Sequence, residues 1–172
     1  GEAGDTFGYS VSLDGDTALV GAFQDDDGGE QSGSAYIFTR TGDSWAEQAK
    51  LVASDGAAGD RFGWSVSLDG DTALVGAYWD DGGGGALSGS AYIFTRTGES
   101  WTEQAKLVAS DGETGDQFGW SVSLDGDTAL VGASGDDGYS GSAYIIDLPP
   151  AGCQCTPDCA GKTCGDDGCG GS

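Results

Sequence analysis

A single phrase that occurs three times constrains this chain more than any other feature. Residues 10–22 read SVSLDGDTALVGA, and the same thirteen residues return unchanged at 65–77 and at 121–133. Successive copies begin 55 and then 56 residues apart, which is typical of an array in which one supersecondary unit is repeated and stacked. We therefore predict three copies of one unit, followed by a segment of different composition. The predicted boundaries are 1–55, 56–111 and 112–148 for the repeats and 149–172 for the last segment.

Within the first repeat, the pattern predicts four short antiparallel strands. Apolar residues alternate with serines at 9–13, and the Asp-Gly-Asp at 14–16 is typical of a tight hairpin. The stretch 17–22 is apolar on both faces, as in a central strand covered on each side. Further strands are predicted at 34–40 and 44–53. Because four antiparallel strands in about 50 residues match one propeller blade, we predict an all-β fold of four-stranded antiparallel blades, with about three blades and an incomplete ring.

Each repeat opens with a Phe-Gly pair, followed by a strand, a hairpin and Val-Gly-Ala. The pairs are Phe7-Gly8, Phe62-Gly63 and Phe118-Gly119. These phrases resemble the FG-GAP repeats of integrin-α-like β-propellers, and most closely those of bacterial secreted proteins. The resemblance covers residues 1–147 and implies propeller blades in an extracellular or cell-surface setting, without implying a reaction. The calcium loop of the integrin-type repeats is replaced here by the short turn at 14–16 and its equivalents, which cannot surround an ion that takes six to eight oxygens.

The charge of the chain excludes several classes of function. Lys and Arg total 6 against 29 Asp and Glu, which gives a formal net charge of −23, and there is no His. Nucleic-acid binding is excluded because it needs a basic surface, and histidine-dependent catalytic triads are excluded with it. No apolar stretch approaches the roughly 20 residues of a membrane-spanning helix, so no membrane insertion is expected. The start at Gly1, with neither an initiator Met nor a signal peptide, indicates a processed or excised piece.

A pair of aspartates follows the Val-Gly-Ala strand at the same offset in every repeat. These candidate metal ligands are Asp25, Asp26, Asp80, Asp81, Asp136 and Asp137. Hairpin pairing places the pairs near Asp5, Asp60 and Asp116, at one strongly acidic edge of the array. One hypothesis is a row of hard-cation sites, for Ca²⁺ rather than Mg²⁺. The other is that Asp and Gly occur there because turns require them.

Aromatic residues also recur at equivalent positions. They are Tyr9, Trp64 and Trp120 after the Phe-Gly pair, and Trp45 and Trp101 in the fourth strand. A carbohydrate-stacking surface is one interpretation, but packing between neighbouring blades is favoured, because the small residues of the SVS strand leave room for large rings. Tyr78 and Trp79 have no aromatic equivalents in the other repeats. They are predicted to form an exposed contact.

The segment 149–172 is rich in Pro, Gly and Cys and contains every cysteine of the chain. These are Cys153, Cys155, Cys159, Cys164 and Cys169. Zinc binding is disfavoured because no CxxC pair and no His are present. Disulfides of a secreted protein are the favoured interpretation, with their pairing left open. The odd count means that one thiol is free, pairs with another chain, or has its partner beyond Ser172.

Three blades cannot close a ring, because propellers typically have four to eight, and open strand edges recruit further strands. The chain is therefore expected to be part of a larger propeller, a ring shared between chains, or a head-to-tail fibre. The predicted function is an extracellular structural or adhesion module, non-catalytic, with other protein chains as partners and Ca²⁺ as a candidate ligand. An alternative is a self-assembling subunit whose blades are completed between chains. A polysaccharide-active enzyme is a second alternative, disfavoured because catalytic residues normally break repeat symmetry.

Overall fold

The computed structural model describes residues 3–148 of the chain. The first sheet contains β1 (Ser10–Asp14), β2 (Thr17–Ala22), β3 (Ser34–Thr41) and β4 (Ser44–Leu51). The second sheet contains β5 (Ser65–Asp69), β6 (Thr72–Ala77), β7 (Ser90–Thr97) and β8 (Ser100–Leu107). The third sheet contains β9 (Phe118–Asp125), β10 (Thr128–Ala133) and β11 (Ser142–Asp147), with the short helix α1 (Asp136–Tyr139) before β11. The five cysteines, for which disulfides are predicted, lie outside the described residues.

All three sheets are antiparallel meanders in chain order. In the first sheet, Asp14 pairs with Thr17 across the predicted two-residue turn, and Gly15 there has a φ of +53°, which favours glycine. The predicted all-β fold of propeller blades in an unclosed ring is confirmed. Helix α1 was not predicted. It includes Asp137 and Gly138 with positive φ values, so it is a loop with one helical turn rather than a regular helix.

The core consists of two apolar layers, one between each pair of neighbouring sheets. We call the side of a sheet that carries the Phe of Phe-Gly its front face, and the other side its back face. The back face of the first sheet packs on the front face of the second, where Leu19 meets Phe62 and Val75. The back face of the second sheet packs on the third, where Leu74 meets Val131. The second strand of each sheet, β2, β6 or β10, is apolar on both faces, as is required in a blade that has a neighbour on each side.

Backbone contact between neighbouring sheets explains the Phe-Gly motif. Phe62 forms an isolated parallel bridge to Gly33 of the first sheet. At Gly63, where φ is +87°, a β-carbon would lie 2.2 Å from the carbonyl oxygen of Ser34. Any side chain at this position would force the sheets apart. The glycine is therefore required twice, by its backbone conformation and by the close approach.

Serines of the repeated SVS segment form hydrogen bonds between sheets. The Ser10 hydroxyl donates to the carbonyl of Gly63 over 2.8 Å, and the Leu68 amide donates to the Ser12 hydroxyl over 3.0 Å. The same two bonds recur between the second and third sheets, from Ser65 to Gly119 and from Leu124 to Ser67. The small polar positions of the first strand are thus part of the contact between blades.

Among residues 3–148, no helix is long and apolar enough to cross a membrane.

Candidate functional site

The first aspartate of each predicted pair lies beside a tyrosine of the third strand. The Tyr36 hydroxyl donates to Asp25 Oδ2 over 2.8 Å, and the Tyr92 hydroxyl donates to Asp80 Oδ2 over 2.7 Å. In the third sheet, the Tyr144 hydroxyl lies 3.2 Å from Asp136 Oδ2. The arrangement recurs because each aspartate follows the second strand at the same offset, and the third strand runs beside it. We call these groups clusters 1, 2 and 3.

A lysine of the fourth strand completes clusters 1 and 2. Lys50 is the cross-strand partner of Tyr36, and Lys106 is the partner of Tyr92. Lys50 Nζ lies 2.9 Å from Asp25 Oδ2, and Lys106 Nζ lies 2.7 Å from Asp80 Oδ2. Each ammonium is also 5.3 Å from the centre of its tyrosine ring, within cation–π range. In each cluster the carboxylate therefore forms an ion pair with the ammonium and accepts a hydrogen bond from the hydroxyl.

Cluster 1 holds a buried carboxylate in its charged form. Asp25 also accepts hydrogen bonds from the Ser34 hydroxyl and from the amide of Asp27. Burial on its own raises the pKa of Asp25, but the hydrogen bonds, led by that from Lys50, outweigh it and lower the pKa to about 2. The pKa of Lys50 is raised by its hydrogen bonds to Asp27 and Asp25, in spite of burial. A buried charge of this kind is tolerated because it is paired and hydrogen-bonded.

Cluster 2 contains a further aspartate, from the connection between the first two sheets. Asp55 Oδ1 lies 2.9 Å from the Tyr92 hydroxyl, which shares its one proton between Asp55 and Asp80, and Asp55 Oδ2 accepts a hydrogen bond from Lys106 over 2.7 Å. Burial and then the hydrogen bond to Asp80 raise the pKa of Tyr92, which keeps its hydroxyl protonated. Cluster 2 therefore ties the connection between two blades to the blade that follows.

Cluster 3 has the same carboxylates as cluster 2 without the ammonium. The Tyr144 hydroxyl lies 2.9 Å from Asp111 Oδ1, which corresponds to Asp55, and 3.2 Å from Asp136 Oδ2. No salt bridge to either carboxylate exists within residues 3–148, where the third sheet has three strands. Burial and both carboxylates raise the pKa of Tyr144. Hydrogen bonding with Ser142 and Tyr144 lowers the pKa of Asp136.

The second aspartates of the first two pairs stabilise loops. Asp26 Oδ1 accepts a hydrogen bond from the amide of Gln31, and Asp81 Oδ1 accepts one from the amide of Leu87. Within the part of the chain that the structure describes, no group of three or more carboxylate or thiol side chains is arranged to hold a metal ion. Cation binding by the aspartate pairs stays a prediction.

The predicted acidic edge does bring further aspartates together. Amides of the loops after the second strands bond to the backbone carbonyls of these residues, as in Gln24 to Asp5, Trp79 to Asp60 and Gly135 to Asp116. Burial raises the pKa of Asp60, and its hydrogen bond from the Ala57 amide opposes that rise. Sequence reasoning missed the tyrosines and lysines of the clusters. A usable signal was present, because both lysines within the repeats occur at the same place in the phrase EQAKLVASDG.

The aromatic side chains form a row across the three sheets. The ring centres of Tyr9 and Trp64 are 4.6 Å apart, and those of Trp64 and Trp120 are 5.1 Å apart. The rings of neighbouring blades therefore contact one another, but Tyr9 and Trp120 are 52% and 39% exposed, so the predicted packing between blades is only partly observed. The predicted exposure of Tyr78 is wrong. This residue is only 3% exposed, because its ring lies 4.4 Å from Trp64 and 4.8 Å from Trp120. Trp79 is partly exposed, with the guanidinium of Arg61 3.3 Å from its ring centre.

The tryptophans of the fourth strands differ because their neighbours differ. Trp101 of the second sheet packs against the layer shared with the first sheet, and its Nε1 donates to Gln48 over 2.9 Å. Trp45, at the equivalent position of the first sheet, is exposed. Packing between blades is therefore observed for Trp101, where a preceding blade is present.

Comparison with known proteins gives one family. The model of the FG-GAP repeat matches residues 1–38, 45–94 and 101–146. The first match covers β1 and β2 and reaches into β3, whereas the second and third begin in the last strand of one sheet, β4 or β8, and continue into the next sheet. Together the matches span well over half of the chain. No curated protein matches the sequence significantly.

Proposed function

Because the chain belongs to the FG-GAP repeat family, we propose that it is an extracellular structural and adhesion module that catalyses no reaction. FG-GAP repeats are typical of extracellular and cell-surface proteins and are typically non-catalytic. The observation that carries the proposal is that the buried carboxylates of clusters 1 and 2 are paired internally. Their carboxylates bind the lysine and tyrosine of their own blade, so they stabilise blades rather than face a substrate.

The partners proposed for this module are other protein chains. Its net charge of −23 favours partners with basic surfaces, whose approach it accelerates at low ionic strength. The proposal is tested by labelling intact producing cells with an antibody against the blades. Surface labelling and inhibition of attachment by the monovalent fragment are the expected results. Labelling only after permeabilisation would contradict the proposed location, and unchanged attachment would contradict the adhesive role.

A second candidate function is self-assembly of chains by stacking of their terminal sheets. The front face of the first sheet exposes Val11 at 68% and Leu13 at 67%. The back face of the third sheet exposes Leu130 at 43% and Ile145 at 76%. In the second sheet, Leu68 is buried in the layer shared with the first sheet. The two exposed faces are thus the two halves of a contact that the chain already makes twice.

Polar groups match across the same two faces. Ser121 and Ser123 on the third sheet correspond to Ser10 and Ser12, which bond to the following sheet. A first sheet of another copy stacked on the third sheet would present the backbone groups that these serines bind elsewhere in the chain. The stack would repeat head to tail, which generates a ring or a fibre according to whether the rotation closes.

Sedimentation velocity over a range of concentrations tests this second candidate, at low and at high salt. High salt screens the repulsion between acidic chains, so we expect species larger than the monomer to grow with concentration there. Leu13→Asp places a charge in the proposed contact and is expected to abolish the growth. Ser100→Asp adds the same charge at an exposed hairpin and is the matched control. A monomer at every concentration and salt level would exclude assembly by stacking.

A further inference from the structure

Among the described residues, the third sheet has an open edge that corresponds to a paired edge in the other two sheets. β3 pairs with β4 along its length, and β7 pairs in the same way with β8. Within residues 3–148, β11 pairs with β10 alone. A strand edge with unpaired amides and carbonyls is a template for an added strand. The edge of β11 is therefore able to accept an extended peptide.

The paired edges of β3 and β7 indicate which side chains an added strand would place opposite β11. Opposite the Ala-Tyr-Ile of the third strand, the fourth strand places Leu, Lys and Ala. The pairs in the second sheet are Ala91 with Leu107, Tyr92 with Lys106, and Ile93 with Ala105. The first sheet has the same residue types in the same register. On β11 the corresponding positions are Ala143, Tyr144 and Ile145, so an added strand in this register places a lysine opposite Tyr144.

Cluster 3 contains the groups that would bind the ammonium of a lysine in such a strand. In cluster 2, the Tyr92 hydroxyl is 2.9 Å from Asp55, and Lys106 is 2.7 Å from both Asp55 and Asp80. In cluster 3, the Tyr144 hydroxyl is also 2.9 Å from its connecting aspartate, Asp111. Two carboxylates and a hydroxyl are therefore in place, and the group that differs is the cation.

Burial of apolar surface on the third sheet also favours an added strand with this pattern. Ile145 is 76% exposed on the back face of the third sheet, whereas its equivalent in the second sheet, Ile93, is 4% exposed. Ala105 and Leu107 of β8 lie on the same face as Ile93 and pack into its layer. An added strand with this pattern would place an alanine beside Ile145 and a leucine beside Ala143. It would cover part of the exposed apolar surface as it paired with the edge.

We propose that the edge of β11 binds an extended peptide of another polypeptide, in antiparallel register, whose lysine enters the cluster of Asp111, Tyr144 and Asp136. The pattern of the peptide is apolar, lysine, small, read from Ala143 to Ile145. This inference rests on the proposed binding of other protein chains, and it names the chemistry of a strand that would complete a blade between chains. It does not depend on stacking of the terminal faces.

The binding test uses a labelled peptide with the sequence of residues 100–109, SWTEQAKLVA, and the full chain, with fluorescence anisotropy as the readout. The matched control peptide carries Lys106→Met, which keeps the length of the side chain and removes its charge. We expect saturable binding of the first peptide and at least about tenfold weaker binding of the control, because hydrogen bonds to charged groups exceed neutral ones. A peptide with Lys106→Glu is expected not to bind.

Variants of the protein locate the site. Asp136→Asn is expected to remove most of the advantage of the lysine peptide over the Lys106→Met peptide, whereas Asp26→Asn, at a loop carboxylate of the first sheet, leaves it unchanged. Amide resonances of β11 should shift on binding and become protected from hydrogen exchange. Equal binding of the lysine and methionine peptides, or shifts confined to another edge, would overturn the proposal. No binding to the full chain would overturn it too, including the case in which residues 149–172 cover the edge.

The outcome is independent of assembly by stacking. Leu13→Asp lies on the first sheet, away from β11, and is expected to bind the peptide as the unmodified chain does. Peptide binding by a chain that stays monomeric would support the strand site and exclude stacking. Assembly without peptide binding would support stacking and exclude the strand site.

Discussion

The first and second sheets carry the same thirteen-residue phrase but differ in what surrounds it. Leu13 of the first sheet is 67% exposed, whereas Leu68, at the same position of the second sheet, is 6% exposed. The second sheet has a neighbour on both faces, and the first has one on its back face only within residues 3–148. In such an array each unit contributes its own stability and that of its contacts with neighbours. The comparison shows that burial here depends on position in the stack rather than on local sequence.

The largest expected effect comes from breaking the backbone contact that the first sheet makes with the second. Gly63→Ala places a β-carbon 2.2 Å from the Ser34 carbonyl oxygen, and we expect a loss of more than about 4 kcal/mol in the free energy of unfolding. Gly8→Ala is the matched control, because Gly8 has nearly the same φ, +89°, and no atom within 4 Å of the added carbon. It should cost only about 1 to 2 kcal/mol of conformational strain. Urea unfolding measures both, and equal losses would contradict the contact.

A smaller effect should distinguish an internal from a terminal face. Leu74→Ala removes a fully buried side chain between the second and third sheets, and a loss of about 3 kcal/mol is expected. Leu130→Ala, at the equivalent exposed position of the third sheet, should cost about 1 kcal/mol or less. The comparison requires dilute, monomeric protein, since assembly would bury Leu130. A larger loss for Leu130→Ala than for Leu74→Ala would contradict the burial of the two faces.

Acid should remove the contribution of cluster 1 in a defined range of pH. The pKa of Asp25 is lowered to about 2 in the folded protein from its ordinary value of 3.8. The stabilisation is therefore fully present above about pH 4 and is lost as the pH falls towards 2. The difference in melting temperature between the unmodified chain and Asp25→Asn should shrink over this range. Asp26→Asn, at the neighbouring loop carboxylate, is the control, and its melting temperature should differ less from that of the unmodified chain. If the difference for Asp25→Asn did not change with pH, Asp25 would not be the source of the acid-sensitive stabilisation.

The smallest effect is expected from calcium. Lys50 and Lys106 already form ion pairs with the buried carboxylates of clusters 1 and 2, which leaves cluster 3 as the place where a divalent ion would meet least competition. We expect calcium to raise the melting temperature by a few degrees at most, and Asp136→Asn to remove that shift. Differential scanning calorimetry with calcium and with chelator provides the measurement. A shift that survives in Asp136→Asn would place the ion elsewhere.

Much of the fold could be predicted from local patterns. The Asp-Gly turns, the alternation in the first strand and the fully apolar second strand predicted the hairpins and the central strands, because each depends on a few neighbouring residues. The short α1 could not be predicted in this way. Its loop differs from the equivalent loops in length and composition, and the Asp and Gly that adopt positive φ values in it also occur in turns without helical structure.

The candidate site was predicted only in part. The fixed offset of the aspartates pointed to Asp25, Asp80 and Asp136, but not to the groups that bind them. Tyr36 and Lys50 are 11 and 25 residues away from Asp25 along the chain, and strand pairing alone brings them together. The buried position of Tyr78 was missed because the rings that cover it, Trp64 and Trp120, come from two different sheets.

The sequence by itself determined the unit of this protein, a four-stranded blade with a Phe-Gly start, and the number of copies. It could do so because turn chemistry, strand alternation and exact repetition act over short distances along the chain. The tertiary structure decided which copies of a residue are buried, which carboxylates are paired with a lysine and which edge and faces are open within residues 3–148. These properties depend on what lies beside a blade, and identical sequences placed beside different neighbours bury different surfaces.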